Sequence, residues 1–114
     1  MTIDDLTKVF DGCGVPVFDT FAPAGTALPY GVFRITAPNN SPADNLTYSK
    51  NVEVELELYT LGKDYQAMAI IENRLQANNL PFDHDTSYLD GQKVLMELYS
   101  YSAVTGAVEP VPEV

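Results

Sequence analysis

At 114 residues the chain is long enough for one domain with a modest core and too short for two. Hydrophobic residues make up 46% and charged residues 19%, a globular composition, and 16 acidic against 6 basic side chains leave a formal charge of −10. That balance excludes a DNA-coating role, which requires Lys and Arg to displace counterions from phosphates. A single Cys and a single His exclude an internal disulfide framework and argue against a structural zinc site.

Thr2 is placed to cap a first helix, with Asp4 and Asp5 in the turn where the helix dipole favours negative charge. Ile3, Leu6, Val9 and Phe10 give it one apolar stripe over three turns, and Gly12-Cys13-Gly14 ends it. Val15 to Phe18 reads as a short strand that Pro16 pushes to an edge or a strand start. A loop rich in Pro and Gly follows over 22–29, then a β-branched and aromatic strand over Tyr30 to Thr36. The polar stretch from Pro38 to Asn45 reads as a loop or a protruding hairpin tip.

The strongest pattern comes next. From Asn51 to Tyr59, Val52, Val54, Leu56 and Leu58 alternate with Glu53, Glu55, Glu57 and Tyr59, which predicts a strand with one face on the core and one in water. Leu61-Gly62 breaks it. A helix follows from Lys63 to about Asn78, with Met68, Ile71 and Leu75 as its stripe and Ala67 and Ile70 widening it, until Asn78-Asn79-Leu80-Pro81 stops it. Phe82 to Tyr88 and Gln92 to Ser102 pair as a hairpin through Asp90-Gly91, with Val94, Met96 and Leu98 expected to point inward. Residues 1–104 therefore form one α+β domain: a mixed, largely antiparallel sheet of four to five strands with two helices packed on one face. Residues 105–114, acidic and proline-containing, are expected to fray.

Reactive chemistry is poorly represented. No Gly-rich phosphate loop follows a strand. Cys13 reads as a small buried hydrophobe and His84 as a solvated imidazole, and neighbouring positions in Asp83-His84-Asp85 would point to opposite faces of a strand. Glu53, Glu55 and Glu57 sit about 6.5–7 Å apart along one strand face, which suits a plain solvated sheet or an interface or channel-lining surface. Three carboxylates in a row repel one another, a cost that other solvating residues would avoid. An acidic channel lets DNA pass without capturing it, because phosphates are repelled. No segment approaches the length of a membrane span, and the start lacks the basic and apolar regions of a signal peptide; the expected compartment is the cytoplasm in which the chain is made.

An ordered series of short motifs carries a resemblance. Leu28-Pro29-Tyr30-Gly31-Val32-Phe33, then Pro42-Ala43-Asp44-Asn45-Leu46-Thr47-Tyr48, precede Val54-Glu55-Leu56-Glu57-Leu58-Tyr59-Thr60, Lys63-Asp64 and Ile71-Glu72-Asn73-Arg74-Leu75. In this order and spacing, over residues 28 to 101, the chain resembles tail-completion (tail-terminator) proteins of long-tailed, siphovirus-type bacteriophages and is similar to small prophage proteins of Gram-positive hosts. The resemblance implies a virion structural protein of the neck, assembled in the host cytoplasm. It implies a homo-oligomeric ring, usually a hexamer, that caps the tail tube, joins it to the head connector and leaves a channel through which DNA passes unbound. No enzymatic activity, cofactor, metal site or membrane contact is expected. On that reading Glu53, Glu55 and Glu57 face the channel or a neighbouring subunit, Asp44 and Asn45 shape a loop reaching an adjacent subunit or the tube, and Tyr48, Tyr59, Tyr99 and Tyr101 are candidates for subunit contacts, each with an alternative reading as an ordinary loop or sheet-surface residue. The alternatives are another neck component, such as a head-completion adaptor or tube subunit, and a small metal- or ligand-binding domain.

Overall fold

The computed structural model describes residues 3–39, 49–89 and 93–106. Seven elements follow in order: α1 (Ile3–Thr7), β1 (Val17–Asp19), β2 (Tyr30–Asn39), β3 (Ser49–Leu61), α2 (Tyr65–Ala77), β4 (Phe82–Leu89) and β5 (Val94–Gly106). The strands make one mixed sheet in the order β1-β2-β3-β5-β4, in which only the β1–β2 pair is parallel. The fold is α+β with both helices on one face, as the sequence predicts.

The core grows from two stripes. Val52, Val54, Leu56 and Leu58 of β3 are at most 2% exposed, and Ala67, Met68, Ile71 and Leu75 of α2 lie against them. Asp64 caps α2, its carboxylate accepting the Ala67 N–H at 3.0 Å, while the Asn78 side chain donates to the Arg74 carbonyl at the other end. Gly62 takes φ +68°, a left-handed turn that releases the chain from β3 towards α2. The first helix is shorter than expected: after Thr7 the chain tightens into successive i→i−3 turns from Lys8 to Asp11, yet Leu6, Val9 and Phe10 are buried as the stripe requires. Arg74 fastens α2 to this segment by donating to the Val9 and Asp11 carbonyls at 3.1 and 2.8 Å. The expected Thr2 cap lies outside the described residues.

Three expectations need correction. β1 begins at Val17, one residue after Pro16, and not at Val15, although it sits at the sheet edge as Pro16 implies. β2 continues to Asn39, through positions read from the sequence as loop; Pro38 pairs with Val52 after a register shift between Ile35 and Ala37. Proline is tolerated there because β1 covers β2 only from Gly31 to Phe33, so no ladder on the outer side needs its missing N–H. The third concerns β5, where the phase is reversed. Leu95, Glu97, Tyr99, Tyr101 and Ala103 point to the helices, whereas Val94, Met96 and Leu98 lie half-buried on the opposite face. Both phases begin apolar, but the Val94 series turns polar at Ser100 and Ser102, while the Leu95 series carries two tyrosines and Ala103. The larger apolar burial sets the register, with one glutamate carried inside. β5 also runs to Gly106, beyond the expected domain end at 104; residues 107–114 lie outside the described residues.

Candidate functional site

β3 places its glutamates on the face away from the helices, where the sheet has no second layer among the described residues. Glu53 and Glu55 are exposed there. Glu57 is not a bare surface carboxylate: its Oε1 accepts Arg34 Nη1 at 2.9 Å and the Tyr59 hydroxyl at 2.6 Å. Partial burial pushes the Glu57 carboxyl up, but these two hydrogen bonds and the guanidinium charge outweigh it and hold it below the ordinary carboxylate value. Burial and the same bond raise Tyr59 far above the ordinary phenol value. The Tyr59 ring lies 5.2 Å from that of Tyr30.

Along the strands this open face changes character. Glu53, Glu55, Asp83, Ser100 and Ser102 occupy the end where β3 begins; Tyr30, Tyr59, Leu61, Val94, Met96 and Leu98 lie towards the end where it finishes, with Asp85 and Ser87 of β4 beside Leu98 and Met96. A shallow groove of ≈ 360 Å³ runs at the acidic end, between Glu53, Asp83 and Ser102.

Tyr99 and Tyr101 do not belong to this face. They are 0% and 5% exposed under α2, so their expected role as subunit contacts is overturned by core packing. The Tyr99 hydroxyl donates to Glu72 Oε2 at 2.8 Å, and burial together with that carboxylate pushes its pKa far up. The Tyr101 hydroxyl is buried with no hydrogen-bond partner among the described residues. Asp44, Asn45 and Tyr48 lie outside the described residues.

A polar cluster that the sequence reading missed is centred on Glu97. Its carboxylate is 0% exposed, and Oε1 accepts the Thr86 hydroxyl at 2.6 Å and lies 2.6 Å from His84 Nε2, while Lys63 Nζ is 3.5 Å from Oε2. Burial pushes the Glu97 carboxyl up; the bonds from Thr86 and His84 and the Lys63 charge more than offset it, so it is held below the ordinary value. His84 is therefore not a solitary solvated imidazole. Its ring stacks on Tyr99 at 4.6 Å and an interplanar angle of 8°. The signal in the sequence is a lone glutamate inside an apolar run, opposite Thr86 and His84 in a hairpin. Charged residues enter a core only when paired.

Chemically the cluster is a clamp: it ties edge strand β4 and the entry to α2 onto β5. Cys13 is remote from it in function, packing against the core with its thiol donating to the Val15 carbonyl at 3.3 Å. Among the described residues no three His, Cys, Asp or Glu side chains converge as a metal site, and no helix is long and apolar enough to cross a membrane. No protein-family model matches the chain, and comparison with curated proteins finds no match.

Proposed function

We propose that the protein is a structural subunit of a phage neck, a tail-completion protein that assembles as a ring on the end of the tail tube and joins it to the head connector. The observation that carries this reading is a five-stranded sheet with helices on one face only, whose other face carries the carboxylates of Glu53, Glu55, Asp83 and Asp85 beside an apolar strip of Tyr30, Tyr59, Leu61, Val94, Met96 and Leu98. A domain built this way acts through its surfaces. The two sheet edges, β1 and β4, leave backbone groups for a neighbouring subunit, and a heterologous contact repeated around a closed ring would cover them. Glu53 and Glu55, turned to the channel, would repel DNA phosphates and let the duplex slide.

Among the described residues, motifs behind the resemblance sit where the fold is shaped: Tyr30 opens β2, Glu55 to Thr60 lie in the second half of β3, and Lys63-Asp64 supplies both a partner of Glu97 and the cap of α2. Negative-stain microscopy of the purified protein mixed with tail tubes tests the proposal. Rings of uniform diameter at one end of each tube are expected. Tubes that stay bare and keep elongating at saturating protein would overturn it.

A further inference from the structure

β5 outruns its outer neighbour. It pairs with β3 without interruption from Val94 to Gly106, but β4 accompanies it only from Val94 to Tyr101. From Ser102 to Gly106 no strand lies on that side among the described residues. The phase of the ladder follows from the Gly62 N–H, which donates to the Lys93 carbonyl at 3.2 Å. In an antiparallel pair such bonded positions recur at every second residue, and the unbroken register carries them through Val54–Tyr101 to Val52–Ala103. The residues between, Ser102, Val104 and Gly106, therefore direct their N–H and C=O groups outward, away from β3. A row of unpaired backbone groups is a template for another strand.

The opposite edge at the same end of the sheet is closed to such pairing. Beyond the stretch of β2 that β1 covers, the register shifts after Ile35, and Pro38, opposite Val52, has no N–H to give. Proline and irregularity guard an exposed edge. β5 has neither between Ser102 and Gly106. At the foot of this open stretch lies the groove of ≈ 360 Å³. Ser100 and Ser102, both small, lie between the exposed carboxylates of Glu53 on β3 and Asp83 on β4. No base is among the described residues that line it.

We propose that the outer edge of β5 from Ser102 to Gly106 is a strand-addition site for an extended basic segment of another protein. The backbone of that segment completes the ladder, and a lysine or arginine on it enters the groove between Glu53 and Asp83. Same-face positions along a strand recur about every 7 Å, a distance that a basic side chain spans on its aliphatic stem. A base opposite Val104 thus reaches the groove beside Ser102, one same-face position away. Main-chain bonds supply the affinity of such a contact and the groove selects the side chain.

This chain offers no such segment among its described strands. They carry two lysine or arginine residues: Arg34, held by Glu57 on the guarded β2, and Lys50, on β3 between two partner strands. Residues 107–114, which continue β5 in sequence, contain Glu109, Pro110, Pro112 and Glu113 and no base. A second copy brings a further formal charge of −10 to an acidic groove. The site stands apart from the ring: tubes left bare by the protein would leave this edge as it is.

Titration of the isotope-labelled full chain with a capped peptide of alternating valine and lysine, followed by amide shifts in NMR, provides the test. Shifts are expected at Ser102, Val104, Gly106 and Asp83, saturating at millimolar peptide or below. The fully N-methylated peptide keeps the charge and loses the ladder, and should bind at least about tenfold more weakly. The counterpart with glutamate in place of lysine should not bind. Val104→Pro removes an outward N–H that β3 does not use and should weaken binding about tenfold; Asp83→Lys, at an exposed position, should weaken it about fivefold. No response at millimolar peptide, shifts confined to other strands, or equal binding of the N-methylated or glutamate peptide overturns the proposal. So does a concentration-dependent dimer that Val104→Pro abolishes, which would make the occupant a second copy.

Discussion

Tyr99 and Tyr101 are neighbours on one strand face with opposite hydrogen-bonding fates. Tyr99 donates to Glu72, whereas the buried Tyr101 hydroxyl has no partner among the described residues. Removing a satisfied bond to a carboxylate costs stability, and removing an unsatisfied hydroxyl relieves a desolvation penalty. Tyr99→Phe should therefore destabilise the fold by about 1.5–3 kcal/mol and Tyr101→Phe should leave it unchanged or more stable by up to about 1 kcal/mol. Urea denaturation of the two variants reads the difference, and an equal loss in both would contradict the assignment. Glu97 supplies a pH-dependent counterpart. Its carboxyl is held below its ordinary value of 4.5 in the folded state, so its contribution is full above that pH and lost as pH falls through the lower folded value. Glu97→Gln should cost about 1–3 kcal/mol near neutrality, and the gap to the unaltered protein should close towards acid pH. Denaturant midpoints of both proteins measured across that range check it; a gap independent of pH would mean that shape alone, and not charge, makes Glu97 fit.

The elements show why some of this was legible in sequence and some was not. β3 alternates cleanly because one face is buried and the other wet, so its phase was readable residue by residue. α2 was equally plain, its stripe at Met68, Ile71 and Leu75 ending at asparagines that accept the left-handed turn; Asn79 has φ +57°. β5 was not, because Val94-Leu95-Met96 satisfies both phases and the decision falls to tyrosines and a paired glutamate contributed by long-range contacts. For the same reason the candidate face was only half visible. The acidic row was read from alternation, but the apolar half depends on β2, β3 and β5 lying side by side. Within that row the three glutamates are not equivalent. Glu57→Lys would set a cation against Arg34 and strip the acceptor from Tyr59, and should destabilise by about 1–2 kcal/mol, while Glu55→Lys, at an exposed position, should stay within about 0.5 kcal/mol. Thermal unfolding of the two single variants separates them. Equal losses would show that the Arg34–Glu57–Tyr59 group contributes nothing beyond surface charge.

At the scale of the whole molecule, a formal charge of −10 on 114 residues sets two electrostatic effects against each other. Ion pairs attract and are weakened by salt; unpaired surface carboxylates repel and are relieved by it. The geometry decides which dominates. The carboxylates of Glu97 and Glu57 are buried and mostly buried, so added salt takes less from their pairs with Lys63 and Arg34 than from pairs exposed on both sides. Glu55, Asp83 and Asp85 stand exposed on the sheet, and no salt reaches them without lowering their mutual repulsion. The melting temperature should therefore rise by a few degrees as sodium chloride increases from low concentration to about 0.15 M, where the Debye length has shrunk to about 8 Å. The rise should be smaller in Glu55→Lys, which removes one source of repulsion. Differential scanning calorimetry on both proteins measures this directly. A melting temperature that falls with salt would mean that attractive surface pairs govern the stability of the domain, and the acidic end of the open face would then be bound up in the fold instead of held ready for a neighbour or for passing DNA.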